Sequence, residues 1–329
     1  MKRTAAILLA LLLLAAALPG CAARLSATGR TNQPKNDKIS VVCTIFPQYD
    51  WVRQILGDRA GDVDLTLLLG SKTDLHNYQP SVDDIVKIST CDLFIYVGGE
   101  SDGWVEDALA QATNPDMIAI NLLEALGDAA KEEELLPSME AEEAEEGGED
   151  EVEYDEHVWL SLKNAQVFCP VIADALAELD PANAAAYRAN LAAYDGKLSA
   201  LDGEYRAAVD AAPIKALLFG DRFPFRYLKD DYGLECDAAF AGCSAETEAS
   251  FGTIARLAEK VDEWGLHTVM VIESGDKSIA ETIIANTAGG GQQILVLDSM
   301  QSVTFGALGN TTYLSIMEGN LAVLKEALR

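Results

Sequence analysis

The sequence predicts an α/β protein in which two parallel-sheet lobes with flanking helices are joined by one long rigid helix. The continuous apolar run at residues 93–97 has the length of a strand that is buried on both faces of a parallel sheet, and residues 268–272 also have the pattern of a strand. Such runs alternate with helical patterns and are not linked by hairpin signals, which is typical of parallel α/β architecture. An alanine-rich segment at residues 180–210 separates the two sets of strands and predicts the joining helix.

Residues 1–21 have the pattern of a secretory signal peptide. Lys2 and Arg3 give a positive start, and residues 5–18 form an apolar core shorter than the roughly 20 residues that a membrane-spanning helix needs. Because the small residue Gly20 precedes Cys21, the segment resembles a bacterial lipobox, whose cysteine is lipidated and becomes the new N-terminus. An ordinary signal peptide with an incidental cysteine is the alternative. Residues 22–38 are polar and predict a flexible tether.

Residues 39–179 form the predicted first lobe. Its predicted strands cover residues 39–45, 63–69, 93–97 and 117–121, and its predicted helices include residues 50–57 and 82–89. Ser81, followed three residues later by Asp84, predicts a capping box at the start of the second of these helices.

Residues 180–210 form the predicted joining helix, and residues 211–329 form the second lobe. Asp180 is the predicted N-cap, and Pro181 occupies the favoured first helical position. Apolar residues recur along the helix at three- and four-residue spacing and predict one buried stripe: Tyr187, Leu191, Tyr194, Leu198, Leu201 and Tyr205. In the second lobe, strands are predicted at residues 216–219, 268–272 and 294–297, with a closing helix at 320–328.

The chain is strongly acidic, with a formal net charge of −29. This charge argues against a nucleic-acid partner, because binding to nucleic acid requires clustered lysine and arginine, and it suits a cation ligand or simple solubility. The acid-rich segment at residues 132–156 contains no lysine or arginine, and such like-charge blocks repel themselves. It is either a solvated loop or a weak collector of divalent ions.

Two of the three histidines occupy positions that suggest a ligand site. His76 follows the strand predicted at 63–69, so it lies at the carboxyl edge of a parallel sheet, where open α/β sheets bind ligands. His157 follows acidic residues and precedes the apolar residues Val158, Trp159 and Leu160. A lone histidine in such a loop more often caps or packs, but the scarcity of histidine and the repeated setting favour binding.

Three motifs carry a resemblance to a known family. They are DLHNYQPSVDDI at residues 74–85, CDLFIYVGGESDGW at 91–104 and DEHVWLSLKNA at 155–165. In this order they resemble the solute-binding proteins of zinc and manganese ABC importers (the ZnuA/TroA/PsaA-like, cluster A-I family), and the resemblance runs over about residues 39–329. It implies two lobes whose closure is limited by the joining helix, and it implies an ABC permease as partner.

The resemblance also implies a set of metal ligands. His76 and His157 match the two ligands of the family's first lobe, and Asp298 matches the acidic ligand after the last strand of the second lobe. Glu273 matches a residue that usually orients the ligands by hydrogen bonds. The chain departs from the family at the remaining ligand, where relatives carry histidine or glutamate.

The departure leaves the remaining ligand open. Depending on the alignment, the family's position falls on Gly220 or on Arg222, and neither residue is an ordinary metal ligand. Asp221 lies between them and is the predicted substitute. Cys236 and Cys243 are near one another in sequence, so they could instead form a disulfide or supply a thiolate to the metal.

The expected function is therefore binding and not catalysis. We expect an extracytoplasmic monomer, lipid-anchored to a bacterial cell membrane, that captures a divalent metal between its lobes for an ABC permease. Two imidazoles favour Zn(II), whereas a carboxylate-rich remainder leaves Mn(II) as the alternative. A zinc hydrolase with Glu273 as general base is a weaker alternative, because no His-Glu-x-x-His motif is present. An adhesin-type lipoprotein with a degenerate site is another.

Overall fold

A computed structural model describes residues 38–71, 74–134, 136–138, 153–243 and 249–329. The predicted signal peptide, the predicted lipidation site Cys21 and the predicted tether up to Asp37 lie outside these residues. So does most of the acid-rich segment, residues 139–152. Residues 38–329 form one compact unit, which contains two four-stranded sheets. Within the described part of the chain, no helix is both long enough and apolar enough to cross a bilayer.

The first lobe is built on a parallel sheet with the strand order β2-β1-β3-β4. Its strands are β1 (Ser40–Cys43), β2 (Asp64–Leu67), β3 (Leu93–Tyr96) and β4 (Ile118–Asn121). The central strands β1 and β3 are almost fully buried, as expected for apolar strands covered on both faces. Because all four strands are parallel, the loops after β2 and β3 leave the sheet at one edge.

The second lobe repeats this arrangement with the order β6-β5-β7-β8. Its strands are β5 (Ala216–Phe223), β6 (Glu235–Ala241), β7 (Thr268–Ile272) and β8 (Gln293–Leu297). The pairing register of β5 with β6 shifts between Phe219 and Arg222. The predicted α/β class with two parallel sheets is therefore confirmed, although β6 escaped the sequence analysis.

Helices cover the two sheets and connect them. In the described residues they are α1 (Phe46–Leu56), α2 (Val82–Thr90), α3 (Val105–Ala110), α4 (Leu122–Leu126), α5 (Leu162–Leu179), α6 (Ala184–Ala211), α7 (Arg226–Tyr232), α8 (Phe251–Trp264), α9 (Ser278–Asn286) and α10 (Tyr313–Ala327). Helix α2 begins as predicted, because the Ser81 side chain accepts a bond from Asp84 N and the Asp84 carboxylate accepts one from Ser81 N. Helices α1 and α10 begin earlier than predicted.

The long helix α6 packs against both lobes. Its predicted apolar stripe is buried, except that Leu191 is only partly so, and the stripe continues to Val209. Asn190 Nδ2 donates to Ile55 O of α1 over 2.9 Å, and Tyr205 OH donates to Met317 O of α10 over 2.6 Å. At about 1.5 Å per residue the helix is roughly 40 Å long, so one rigid element supports both sheets.

The predicted start of α6 is wrong. The helix begins at Ala184 and not at Pro181, and its N-cap residue is Asn183. Asp180 instead closes the preceding turn, because its Oδ2 accepts bonds from Asn183 Nδ2 at 2.6 Å and from Tyr187 OH at 2.7 Å. Aspartate favours turns for the same reason that it favours caps, namely its short hydrogen-bonding side chain.

A buried ionic network fastens α1 to the start of α10. Asp50 is fully buried; its Oδ1 lies 2.6 Å from Arg53 Nη2 and its Oδ2 accepts a bond from Tyr313 N at 2.8 Å. Arg53 also donates to the carbonyl oxygens of Leu308 and Thr311. Burial raises the pKa of Asp50, while the bond from Tyr313 N and the charge of Arg53 oppose that shift. The network ties a first-lobe helix to the C-terminal helix.

We predict that Asp50→Ala strongly destabilises the protein. The substitution leaves Arg53 without its ionic partner and Tyr313 N without an acceptor, so the free energy of unfolding should fall by about 3 kcal/mol. Denaturant unfolding measures this loss. The control is Glu263→Ala, which removes an exposed pair with Lys260 and should leave the unfolding free energy unchanged. Equal stability of the two variants would contradict the role assigned to Asp50.

Candidate metal centre

His76 lies on a short 3-10 turn after β2. The turn covers Leu75–Asn77, and the Asp74 carboxylate accepts a hydrogen bond from His76 N at 3.1 Å. Leu75 is buried in the core and anchors the turn. The imidazole is only 10% exposed. The local sequence therefore fixes the His76 backbone at the carboxyl edge of the first sheet, as its position after a parallel strand predicts.

His157 lies just before a second 3-10 turn, Val158–Leu160, and is fully buried. Asp155 Oδ1 accepts a bond from His157 N at 2.8 Å and lies 3.1 Å from the ring nitrogen Nδ1. The ring of Trp159 packs against the imidazole, with 5.2 Å between ring centroids. Its indole Nε1 donates to Ser299 O at 2.9 Å. The turn is thus fixed by contacts on both lobes.

The two imidazoles face one another through their Nε2 atoms, which are 3.1 Å apart. Each ring is oriented through its other nitrogen. For His157 the partner of Nδ1 is Asp155, and for His76 the partners are Ser101 Oγ at 2.8 Å and Glu156 Oε2 at 3.4 Å. Ligand histidines in proteins are typically oriented in this way through the nitrogen that does not bind the metal. With the Nδ1 atoms engaged in this way, the two Nε2 atoms face one another.

Glu156 is nearly buried and supports the same site. Its Oε1 accepts a bond from Ser101 N at 2.8 Å, whereas its buried Oε2 has no hydrogen-bond partner, although it lies near His76. Burial raises the pKa of Glu156, but its contacts with His76 and Ser101 outweigh that effect and lower the pKa overall. The site therefore holds a negative charge beside the two imidazoles. The sequence analysis missed the roles of Glu156 and Ser101.

Cys243 completes a three-residue group with the histidines. Its Sγ and one ring nitrogen of each histidine all lie within 4.8 Å of one another. The cysteine follows β6, so it reaches the site from the second lobe. The Cys236 and Cys243 thiols are both free, so the structure does not contain the disulfide that the sequence allowed. Burial and the nearby carboxylates, Glu133 first, raise the pKa of the Cys243 thiol.

Asp298 and Glu273 form a separate acidic pair after β8 and β7. Glu273 accepts hydrogen bonds from the backbone N–H groups of Ser299, Gln301 and Ser302, and it fastens the loop that follows Asp298. Burial and, after it, the charge of Glu273 raise the pKa of Asp298 to about 6. Asp298 lies outside the group formed by His76, His157 and Cys243. Its role as a ligand, and that of Glu273 as an orienting residue, stay predictions.

Asp221 also lies outside that group. Its Oδ2 accepts a bond from Ile272 N at 3.0 Å, and its Oδ1 accepts one from Arg222 N at 2.8 Å. A side chain at Gly275 would collide with this carboxylate, because an added Cβ would lie 1.7 Å from Oδ2. These contacts give Asp221 a structural role between β5 and β7. Its role as a ligand stays a prediction that the geometry does not favour.

Arg222 forms a contact between the lobes beside the site. Its Nη2 lies 2.6 Å from Asp74 Oδ2, and Asp74 is the residue that holds the His76 turn. Burial raises the pKa of Asp74, but the charges of Arg222 and His76 lower it further than burial raises it. Arg222 thus acts on the His76 turn through Asp74.

The base of the acid-rich segment is attached to the second lobe. Glu132 forms a bridge with Tyr154, and Ser138 donates from its N and its Oγ to the buried carboxylate of Asp237. Glu134 pairs with Arg226 and with Lys229. Residues 139–152 lie outside the described part of the chain, so the proposed collection of ions by this segment stays a prediction.

Comparison with known proteins places the chain among metal-uptake proteins. The model of the ZnuA family, described as "Zinc-uptake complex component A periplasmic", matches residues 41–327. The zinc-binding lipoprotein AdcA of Streptococcus pneumoniae is 32% identical over 301 residues, covering 90% of this chain and 57% of that protein. The chain therefore spans less than two thirds of that relative's length. The high-affinity zinc uptake system protein ZnuA of Bacillus subtilis is 30% identical, with 92% of each chain covered.

A solved structure agrees in fold. The crystal structure of the Zn(II)-bound ZnuA-like domain of Streptococcus pneumoniae AdcA superimposes with a TM-score of 0.67 at 29% sequence identity. The match covers 88% of this chain and 99% of that domain. The fold class expected from the resemblance is thereby confirmed.

We predict that Asp298→Asn stabilises the metal-free protein at neutral pH. The Asp298 carboxyl has a pKa of about 6 in the folded protein, so it binds its proton more tightly there than in the unfolded chain. Its contribution to the free energy of unfolding is therefore complete below about pH 4 and is lost as the pH rises through 6. Asparagine does not ionise, so the variant does not lose this contribution at high pH. Allowing for partial exposure, the variant should be more stable by about 1 kcal/mol at pH 7.5 and equally stable at pH 4.

Thermal and denaturant unfolding in the presence of a chelator measure this difference. The matched control is Asp276→Asn. Like Asp298 Oδ1, Asp276 Oδ1 accepts a hydrogen bond from the backbone N–H two residues later in the chain, but Asp276 is exposed. The control should show no pH-dependent gain. An Asp298→Asn variant that is less stable than wild type at pH 7.5 would contradict the prediction.

Proposed function

Because the chain belongs to the family of zinc-uptake complex component A, we propose that it is the extracytoplasmic binding protein of an ABC importer and that its cargo is Zn(II). The observation that carries the proposal is the pair of Nε2 atoms 3.1 Å apart, each on a ring that is oriented through Nδ1. His76 and His157 bind the ion through these atoms. The function is capture and delivery, with no chemical change of the cargo.

The spacing of the two nitrogens suits one zinc ion. Two nitrogen ligands at about 2.0–2.1 Å from a tetrahedral zinc ion lie roughly 3.3 Å apart. The observed separation of 3.1 Å needs only a small movement to reach this value. Because Asp155 and Glu156 hold the rings from behind, little side-chain entropy is lost when the ion binds.

The residues around the site favour zinc over manganese. Imidazole nitrogen is a good ligand for Zn(II), whereas Mn(II) prefers carboxylate, carbonyl and water oxygen. A Zn(II)-bound relative of the same fold supports this choice. The excess of carboxylates on the chain, with a net charge of −29, would attract any divalent cation and so does not discriminate between the two. Mn(II) remains the competing cargo in the test below.

Attachment to the membrane belongs to the same proposal. A lipid on Cys21 would hold the binding protein near its permease, and the residues 22–38 would act as the tether. The small residue before Cys21 supports this step, as does the printed name of the Streptococcus pneumoniae relative, a zinc-binding lipoprotein. The protein acts as a monomer that meets the permease with its cargo bound.

We predict one tight zinc site that depends on His76. His76→Ala removes one of the two nitrogen ligands, so the zinc affinity should fall by at least about 100-fold, more than the loss of an outer partner of a ligand usually costs. Metal analysis after dialysis and competitive titration of the stripped protein with Zn(II) and Mn(II) measure it. His267→Ala is the matched control, because His267 is exposed and follows α8 away from the pair.

Two outcomes would contradict the proposal. Wild-type protein that holds no stoichiometric zinc after titration is not a zinc-binding protein, and the adhesin-type alternative would then gain weight. Tight zinc binding that His76→Ala leaves unchanged would place the ion elsewhere. A third outcome, a preference for Mn(II) over Zn(II) in the competition, would overturn the Zn(II) assignment and leave only the transport role.

A further inference from the structure

We propose that the Cys243 thiolate is the third ligand of the metal and that it makes the site selective for thiophilic cations. The inference rests on the proposed function, because it assigns a further ligand to the same ion. At the position that the family resemblance implies for the remaining ligand, this chain has Gly220, Asp221 and Arg222. Cys243 reaches the site from a different turn of the same lobe.

The first argument is position. Cys243 Sγ and one ring nitrogen of each histidine lie within 4.8 Å of one another. Among the described histidine, cysteine and acidic residues, the group with this mutual spacing consists of His76, His157 and Cys243. Zinc–sulfur bonds are about 2.3 Å long, so a thiolate and an imidazole on one ion lie roughly 3.6 Å apart. The limit of 4.8 Å for the group exceeds this spacing by about 1.2 Å, so a small inward movement would bring the three atoms onto one ion.

The second argument is the residue before Cys243. A Cβ added at Gly242 would lie 3.0 Å from His157 Cε1 and 2.9 Å from Phe223 O. Glycine thus allows the backbone of this turn to lie directly against the ligand imidazole. Cys243 N lies 3.5 Å from Glu133 Oε1, which holds the turn from the other side. The thiol is placed by its backbone and does not depend on a long, mobile side chain.

The third argument excludes the other described thiols and Asp221. Cys43, Cys91, Cys169 and Cys236 are buried in other parts of the fold and do not belong to the group. Asp221 was the substitute ligand predicted from the sequence, but its carboxylate accepts hydrogen bonds from two backbone N–H groups. Two imidazoles and one thiolate leave one position of a tetrahedron, for which Asp298 is the residue predicted from the sequence.

The chemical consequence is selectivity. A thiolate favours Zn(II) and other soft cations, whereas Mn(II) is better served by oxygen ligands. Binding releases the thiol proton to solvent as the sulfur–metal bond forms, so charge is balanced without any oxidant or reductant. A site with histidine and carboxylate ligands only would discriminate less strongly between the two metals.

The experiment uses Co(II) as a spectroscopic substitute for Zn(II) in the full-length, metal-stripped protein. A thiolate ligand gives an intense sulfur-to-cobalt charge-transfer band in the near ultraviolet, which nitrogen and oxygen ligands do not give. Wild type should show this band at one equivalent of Co(II). Cys243→Ser should lose it and should prefer Zn(II) over Mn(II) by a factor at least about tenfold smaller than wild type. Cys236→Ala is the matched control and should keep both the band and the preference.

The outcomes separate this inference from the proposed function. A wild-type Co(II) complex without the charge-transfer band, or a Cys243→Ser complex that retains it, would overturn the ligand role of Cys243 and leave the two histidines in place. Wild-type protein that binds neither Co(II) nor Zn(II) would overturn the proposed function itself. Circular dichroism of each variant establishes that the fold is retained before the spectra are compared.

Discussion

The imidazoles of His76 and His157 are held so that their Nε2 atoms face one another across 3.1 Å. At this distance the two nitrogens can form a hydrogen bond only if one of them carries a proton and the other accepts it, because two N–H donors would repel one another. Asp155 and Glu156, from one short segment, approach the two rings from behind. That segment therefore does more than supply His157, since it also sets the direction in which His76 points.

Several carboxylates are buried near the two imidazoles or in the loops of the second sheet. Glu156 is buried beside His76, and Asp102 is buried nearby, where desolvation raises its pKa to about 6 although Val97 N and Gly98 N donate to it. Asp298 is raised to a similar value. Asp102 and Asp298, whose pKa values are raised, oppose folding at neutral pH while they lack a positive partner. Under the proposed function, a bound dication would supply that partner and so stabilise the folded protein.

Much of the fold could be predicted from the sequence. Buried strands such as Thr268–Ile272 consist mostly of apolar residues, and Ser81 with Asp84 forms the cap of α2. His76 could be placed because a parallel strand fixes the edge at which the next loop emerges. The structural role of Asp221 could not be predicted, because the backbone N–H groups that donate to its carboxylate come from two strands, β5 and β7. The approach of Cys243 to the histidines depends on how Gly242 packs against a ring 85 residues away in the chain, and spacing alone does not encode that contact.

The turn that carries His157 is fastened on the side of the second lobe as well. Trp159 Nε1 donates to Ser299 O, and Tyr313 OH donates to Trp159 O over 2.8 Å. A wide hinge motion would have to break these buried bonds together with the packing along α6. Release of a bound ion is therefore expected to proceed through small local openings, so that the residence time of the cargo reflects the mobility of one or two turns. Under the proposed function, the permease would have to displace those turns to take the ion, and the free protein would release the ion slowly.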